Sequence, residues 1–222
     1  MEELKRTDGK HFSIQQSADF LVTEYEQSFE HLRHYDSTEN TIMASSFTGY
    51  IAVFTAAYAL YQYSSHVWVK FLFISIIFFI SAIVGTLVLS LFVRNRLYYT
   101  IIAKQVNSIR NYFLNNSELD FIKFNQSYLS PDRPLNFNPI STYSVYMYLI
   151  CIFNSSLFGS GGLVFTHFTI GKDYNFSISI GIGIGLVILV LELVMAINYL
   201  KKRDTQKADI AVWGKQRGVT AC

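Results

Sequence analysis

The chain has 222 residues, 51% of them hydrophobic and 15% charged, with a net charge of +2. Length and composition fit one membrane module rather than several soluble domains, and no nucleic-acid partner is expected. The two cysteines, Cys151 inside an apolar run and Cys222 at the last position, supply neither a disulfide framework nor a Cys-x-x-Cys site.

Residues 1–16 are polar and are expected to fray. A helix is predicted from there, with Ser17 or Asp19 as its N-cap. Leu21, Tyr25, Phe29 and Leu32 recur on one helical face, and Glu24, Glu26, Glu30 and Arg33 surround them. No Pro or Gly interrupts the run into the first apolar stretch, so a continuous rod is expected. His31 and His34 are three apart beside Glu30, which is half of a metal site. No second pair of ligands stands out, so no metal is expected. No cleavable signal peptide is expected, because the first forty or so residues are polar.

Four apolar runs follow, at 43–63, 67–93, 143–168 and 176–200. Each is about long enough to cross a ~30 Å hydrocarbon core as a helix. Unpaired backbone groups cannot be left in lipid, so helices they should be. The predicted fold is an all-α membrane protein with four transmembrane helices and cytoplasmic helical extensions. Its parts are an amphipathic helix (1–42), a first hairpin (43–93), a cytoplasmic helix and connector (94–142), a second hairpin (143–200) and a basic tail (201–222).

The first span carries Ser45, Ser46, Thr48, Gly49 and Thr55, residues that suit helix–helix contact. The second is richer in Phe and Ile and is expected to face lipid more. Trp68 and Lys70 sit at its outer end as interfacial anchors. Beyond Arg96 the pattern is amphipathic and predicts a helix over 94–114. Pro131, Pro134 and Pro139 exclude a long helix from the connector's second half.

The third span is the most polar, with Asn154, Gly159, Gly161, Gly162 and His167. The fourth holds Gly181 and Gly185 at Gly-x-x-x-Gly spacing, which lets another backbone approach closely. The glycines of the third span read either as a hinge or as the packing partner of that pair, packing being favoured. Glu192 is a carboxylate well inside the fourth span, about 13 Å of helix rise before Lys201. Such a group faces a partner or water, because lipid exposure costs roughly 2.5–3.5 kcal/mol or more. It is read as a cation- or proton-attracting group, or as a helix-pairing hydrogen bond. Asn154 and His167 are lesser candidates of the same kind.

Sixteen of the eighteen basic residues fall before the first span, between the second and third, or after the fourth. Only Lys70 and Lys172 do not. The positive-inside rule therefore places both termini and the middle loop in the cytoplasm. Arg94, Arg96, Lys104 and Arg110 set topology and offer contacts to lipid phosphate or a nucleotide-like ligand. The N-terminal segment carries nine carboxylates against four basic residues, opposite in sign to the loop and tail. There is no phosphate-cradling Gly loop, Gly-x-Ser-x-Gly elbow or His-Glu-x-x-His, so neither an enzyme nor a cofactor is expected.

The stretch Lys104-Gln105-Val106-Asn107-Ser108-Ile109-Arg110-Asn111-Tyr112-Phe113 follows the second span. It resembles a pattern in small bacterial membrane proteins. With the acidic helix and four spans, the chain resembles transmembrane effectors of bacterial anti-phage defence, such as the membrane components of the Kiwa and Hailong systems. That resemblance implies a homo-oligomer in the bacterial inner membrane that alters permeability on a signal. Two functions follow. One is a pore between subunits, of a tetramer in the first instance, with Glu192 and the third span nearest the axis. The other is a non-conducting anchor whose cytoplasmic helices recruit a protein partner.

Overall fold

The computed structural model describes residues 14–63, 67–115, 135–170 and 173–216, with side chains over 19–62, 68–111, 135–169 and 173–203. The chain forms four helices, α1 (Ile14–Tyr63), α2 (Val67–Asn115), α3 (Thr142–Ile170) and α4 (Tyr174–Gln216). All four are long and apolar enough to cross a membrane. The all-α, four-span expectation therefore holds.

Helix α1 is already formed at Ile14, so Ser17 and Asp19 lie within it and neither is its N-cap. Residues 64–66, residues 171–172, and most of the connector, including Pro131 and Pro134, lie outside the described residues. So do residues 1–13 and 217–222. The start of α3 is well determined chemically. Ser141 Oγ accepts from Ser144 N–H at 3.3 Å, and Ser144 Oγ donates to Asn138 O at 2.6 Å. The first contact satisfies a first-turn N–H that a helix leaves unpaired, and the second ties the preceding turn to the helix. Pro139 sits in the turn that delivers the chain to this cap.

Two compact units emerge, one of α1 up to His34 with α2 from Ile101, the other holding the remainder. In the first, Ala103, Val106 and Ile109 are buried. Arg110 donates to the Tyr25 hydroxyl through Nε at 3.1 Å and Nη2 at 2.9 Å, and Gln105 donates to Glu24. Tyr25 stacks on Phe29 at 6.1 Å between ring centroids. The apolar stripe read from the sequence is thus half-buried, and Glu26 and Glu30 point to solvent.

The second unit contains the spans. Its core at the Arg94 end gathers Phe92, Met147, Ile150 and Leu200, all essentially inaccessible. The Phe92 and Tyr143 rings lie parallel at 4.6 Å. A second cluster groups Tyr50, Ile74, Phe78, Ala82 and Leu157.

The expected division between the first two spans is seen only in part, with Ser46 half-buried and Phe73, Ile76 and Ile80 facing outward. Ser45, Thr48, Gly49 and Thr55 are exposed, whereas α2 sends Ile74, Phe78, Leu89 and Phe92 inward. The hydroxyls explain this: Thr48 donates to Ala44 O at 2.9 Å and Thr55 to Ile51 O at 2.8 Å. A hydroxyl bonded to its own helix needs no partner helix. The apolar residues of α2 instead split around the helix, with Ile76, Ile80, Ile83 and Leu87 outward.

Helices α3 and α4 meet through glycine. A Cβ on Gly159 would stand 2.8 Å from Gly181 O, and one on Gly185 would stand 3.1 Å from Ser155 O. Only hydrogen-sized side chains permit such an approach. Helix α3 runs unbroken through Gly159, Gly161 and Gly162.

Candidate functional site

Each span contributes one polar group to a connected cluster in the half of the unit nearer Arg94 and Lys201, termed the inner half, the opposite half being termed the outer. Tyr50 of α1 donates its hydroxyl to Asn154 Oδ1 at 2.6 Å. Asn154 of α3 donates through Nδ2 to Glu192 Oε1 at 3.2 Å and Oε2 at 3.5 Å. Thr86 of α2 donates to Glu192 Oε1 of α4 at 2.7 Å. Asn154 is fully buried and Glu192 is 4% exposed.

The chemistry fixes the amide's orientation. Tyr50 offers a donor and the Glu192 carboxylate an acceptor, so the Asn154 oxygen must face the former and its NH2 the latter. Every member then has a partner, which is the condition for a buried polar network to hold a fold together. The two carboxylate oxygens are unequal. Oε1 accepts two close hydrogen bonds, while Oε2 has only the 3.5 Å contact.

Gly85 makes room for this cluster. A Cβ there would stand 1.9 Å from Asn154 Oδ1 and 3.1 Å from the Tyr50 hydroxyl. No side chain at this position is compatible with Asn154 where it stands.

Two grooves flank α2. One, of about 380 Å³, lies between α2 and α4 and is lined by Thr86, Ser90, Arg94, Glu192, Met195 and Tyr199 among others. The other, of about 370 Å³, lies between α1 and α2 and reaches Tyr50 and Gly85 past Ser45 and Gly49. The outer half is narrow on one side only: a third groove, of about 340 Å³, lies between α3 and α4 beside Gly159, Ser160, Gly181 and Gly185. Phe71 and Phe168 stack at 3.7 Å, and the recess beside them holds only about 20 Å³.

Glu192 and Asn154 therefore belong together. Their place in the core of a single chain does not suit the expected lining of an inter-subunit axis. His167 stands apart near the outer end of α3, its ring edge-on to Phe168 and Tyr174, with Nδ1 buried and without a hydrogen bond. Gly161 packs against Phe78, and Gly162 against Ile184.

Among the basic residues, Arg94 is exposed along the α2/α4 groove. Arg96 lies over the Tyr99 and Tyr143 rings at 5.3 and 5.0 Å, with Nε unpaired. Lys104 and Arg110 belong to the other unit, where Arg110 is committed to Tyr25. His31 and His34 are exposed, and among the described residues no group of three or more His, Cys, Asp or Glu is placed to hold a metal.

Sequence reasoning missed Tyr50, Gly85 and Thr86. A usable signal was depth. Thr86 precedes Arg94 by eight residues and Glu192 precedes Lys201 by nine, so both lie equally far from a basic boundary. The chain matches no protein-family model, no curated protein and no solved structure.

Proposed function

We propose that this chain is an integral membrane protein that alters the permeability of the bilayer to ions, with Glu192 as the controlling group. One observation carries the reading: a carboxylate held by side chains of two other spans also lines a groove. A carboxylate that served only to join helices has no need of such a groove. The Phe71–Phe168 stack narrows the space between α2 and α3, which supports a resting, non-conducting form. Ion passage then runs along the grooves within a subunit, and activation consists of opening the aromatic seal.

The setting we propose is the bacterial inner membrane, with both termini cytoplasmic, in a homo-oligomer serving anti-phage defence. The basic residues at 94, 96 and 201–203 support the orientation, and the resemblance of the whole architecture supports the setting. The test is ion flux into vesicles reconstituted with the purified protein, beside its mass in detergent. Wild type should carry flux above empty vesicles, and Glu192→Gln should change rate or selectivity. Equal flux from both in well-folded samples sinks the reading.

A second reading has its own support. Phe20, 65% exposed, and Val22, 47% exposed, lie on the α1 segment that precedes the membrane. Exposed apolar groups there favour a scaffold that recruits a cytoplasmic protein. Deleting residues 17–40 should then abolish recruitment while insertion survives.

A further inference from the structure

We propose that Glu192 reversibly binds a proton, delivered by water through the α2/α4 groove from the Arg94 side, with the Thr86 hydroxyl switching partner as it does so. The inference deepens the reading of Glu192 as the controlling group and names its ligand.

The first argument is the hydroxyl. Thr86 Oγ1 stands 2.7 Å from Glu192 Oε1 and 3.1 Å from Ala82 O. A hydroxyl has one proton to donate and lone pairs to accept with. When Glu192 is ionised, Thr86 donates to it. When Oε1 gains a proton, that proton is donated to Thr86 Oγ1, and the Thr86 O–H turns to Ala82 O. Both states are fully bonded with the same heavy-atom positions. Asn154 continues to donate to the carboxyl group in either state. The Ala82 carbonyl is an i−4 acceptor of the kind that Thr48 and Thr55 use in the same way, so the second partner is in place without any rearrangement of the helix.

Access is the second argument. Thr86, Ser90 and Arg94 recur every fourth residue and all line the groove. At 1.5 Å per residue they span about 12 Å of α2, from the carboxyl to the basic membrane boundary. A volume of about 380 Å³ accommodates several waters, each occupying about 30 Å³ of liquid. The underused Oε2 retains capacity to accept from such a water.

The surrounding titratable groups do not compete. Tyr50 faces the site from α1, and Cys151 from α3 lies within electrostatic reach of Glu192. Phenols and thiols ordinarily titrate near pH 10 and about pH 8.5, well above carboxyls. Arg94 stands at the mouth from α2, and Tyr199 lines the groove from α4 itself.

The experiment is infrared difference spectroscopy of the full chain in lipid vesicles, between about pH 4 and about pH 9. Wild type should show a carboxylic-acid band that grows as pH falls. It should vanish in Glu192→Gln and shift in frequency in Thr86→Val, which keeps the carboxyl but removes the switching hydroxyl. A spectrum unchanged by Glu192→Gln overturns the proposal, as does a band indifferent to Thr86→Val.

Access is read separately by a charged, membrane-impermeant thiol reagent, in a Cys222→Ser background. Only a thiolate reacts, so a cysteine in water should exceed one in lipid by at least about tenfold. Ser90→Cys should react from the Arg94 side, and Leu87→Cys, on the outward face of the same helix, should not. Equal reaction at both positions overturns the groove as the route. Titration without any ion flux would sink the permeability reading alone. Flux that depends on Glu192 without titration would sink only this inference.

Discussion

The inner and outer halves of the four-span unit are built on different principles. The inner half has a polar centre, Tyr50–Asn154–Glu192–Thr86, flanked by two grooves. The outer half lacks such a centre, and its contacts among the described residues include ring on ring and backbone on backbone, Phe71 on Phe168 and Gly159 on Gly181, with a groove of about 340 Å³ beside the glycines. Its one long-range hydrogen bond of note, Ser75 Oγ to Gly161 O at 3.1 Å, ties side chain to backbone. In lipid, apolar surfaces gain little by meeting one another, so close packing must hold the outer half. The inner half adds directional bonds to the apolar packing of Phe92, Tyr143, Met147 and Leu200, and directional bonds can be rearranged by a proton. One half is therefore fitted for rigidity and the other for response.

The largest effect should come from Gly85→Ala. The new methyl collides with the Asn154 oxygen and expels the centre of the network, leaving buried polar groups without partners. A loss of about 2–4 kcal/mol in reversible unfolding in micelles is expected. Adding Asn154→Ala should recover part of that loss, because the collision disappears with the amide. An additive double variant would mean that Gly85 and Asn154 act separately.

Gly181→Ala should come next, at about 1–3 kcal/mol, since its methyl meets Gly159 O and Leu163 Cβ, both at 2.8 Å. The comparison predicts more than a number here. The outer packing should loosen while ion flux still depends on Glu192. Loss of that dependence would show that the halves are one mechanical unit.

Much of this was legible in the sequence, and the limits have physical causes. The four spans were clear because lipid imposes a length and a composition that no soluble helix needs. Gly181 and Gly185 were clear because two glycines four apart can have only one face. Glu192 stood out because a carboxylate is costly in lipid. Its partners did not, because Tyr and Thr are tolerated in many environments and their facing depends on helix rotation. The same ignorance of rotation blurred the roles of the first two spans: Thr48 and Thr55 look like contact residues until their hydroxyls find their own helix.

Tyr50→Phe should cost about 0.5–1.5 kcal/mol, the usual worth of one hydrogen bond. It leaves Asn154 Oδ1 without its donor, and the amide is then free to turn. If the network acts as a unit, ion flux in the Phe variant should respond to pH differently from wild type. An unchanged response would confine the responsive part to Glu192 and Thr86.

The smallest effect should come from Lys70→Gln at the outer end of α2. Lys70 Nζ lies over the Tyr61 ring at 4.6 Å and donates to Tyr61 O at 3.4 Å. Removing a cation from an aromatic face at a partly exposed site costs about 0.5–1 kcal/mol. The long hydrogen bond adds little, because Gln retains a donor. Unfolding should therefore shift by no more than that amount, with Glu192-dependent flux intact. A larger change, or altered flux, would mean that the outer end takes part in gating, and the aromatic seal of Phe71 and Phe168 would then be part of the responsive machinery.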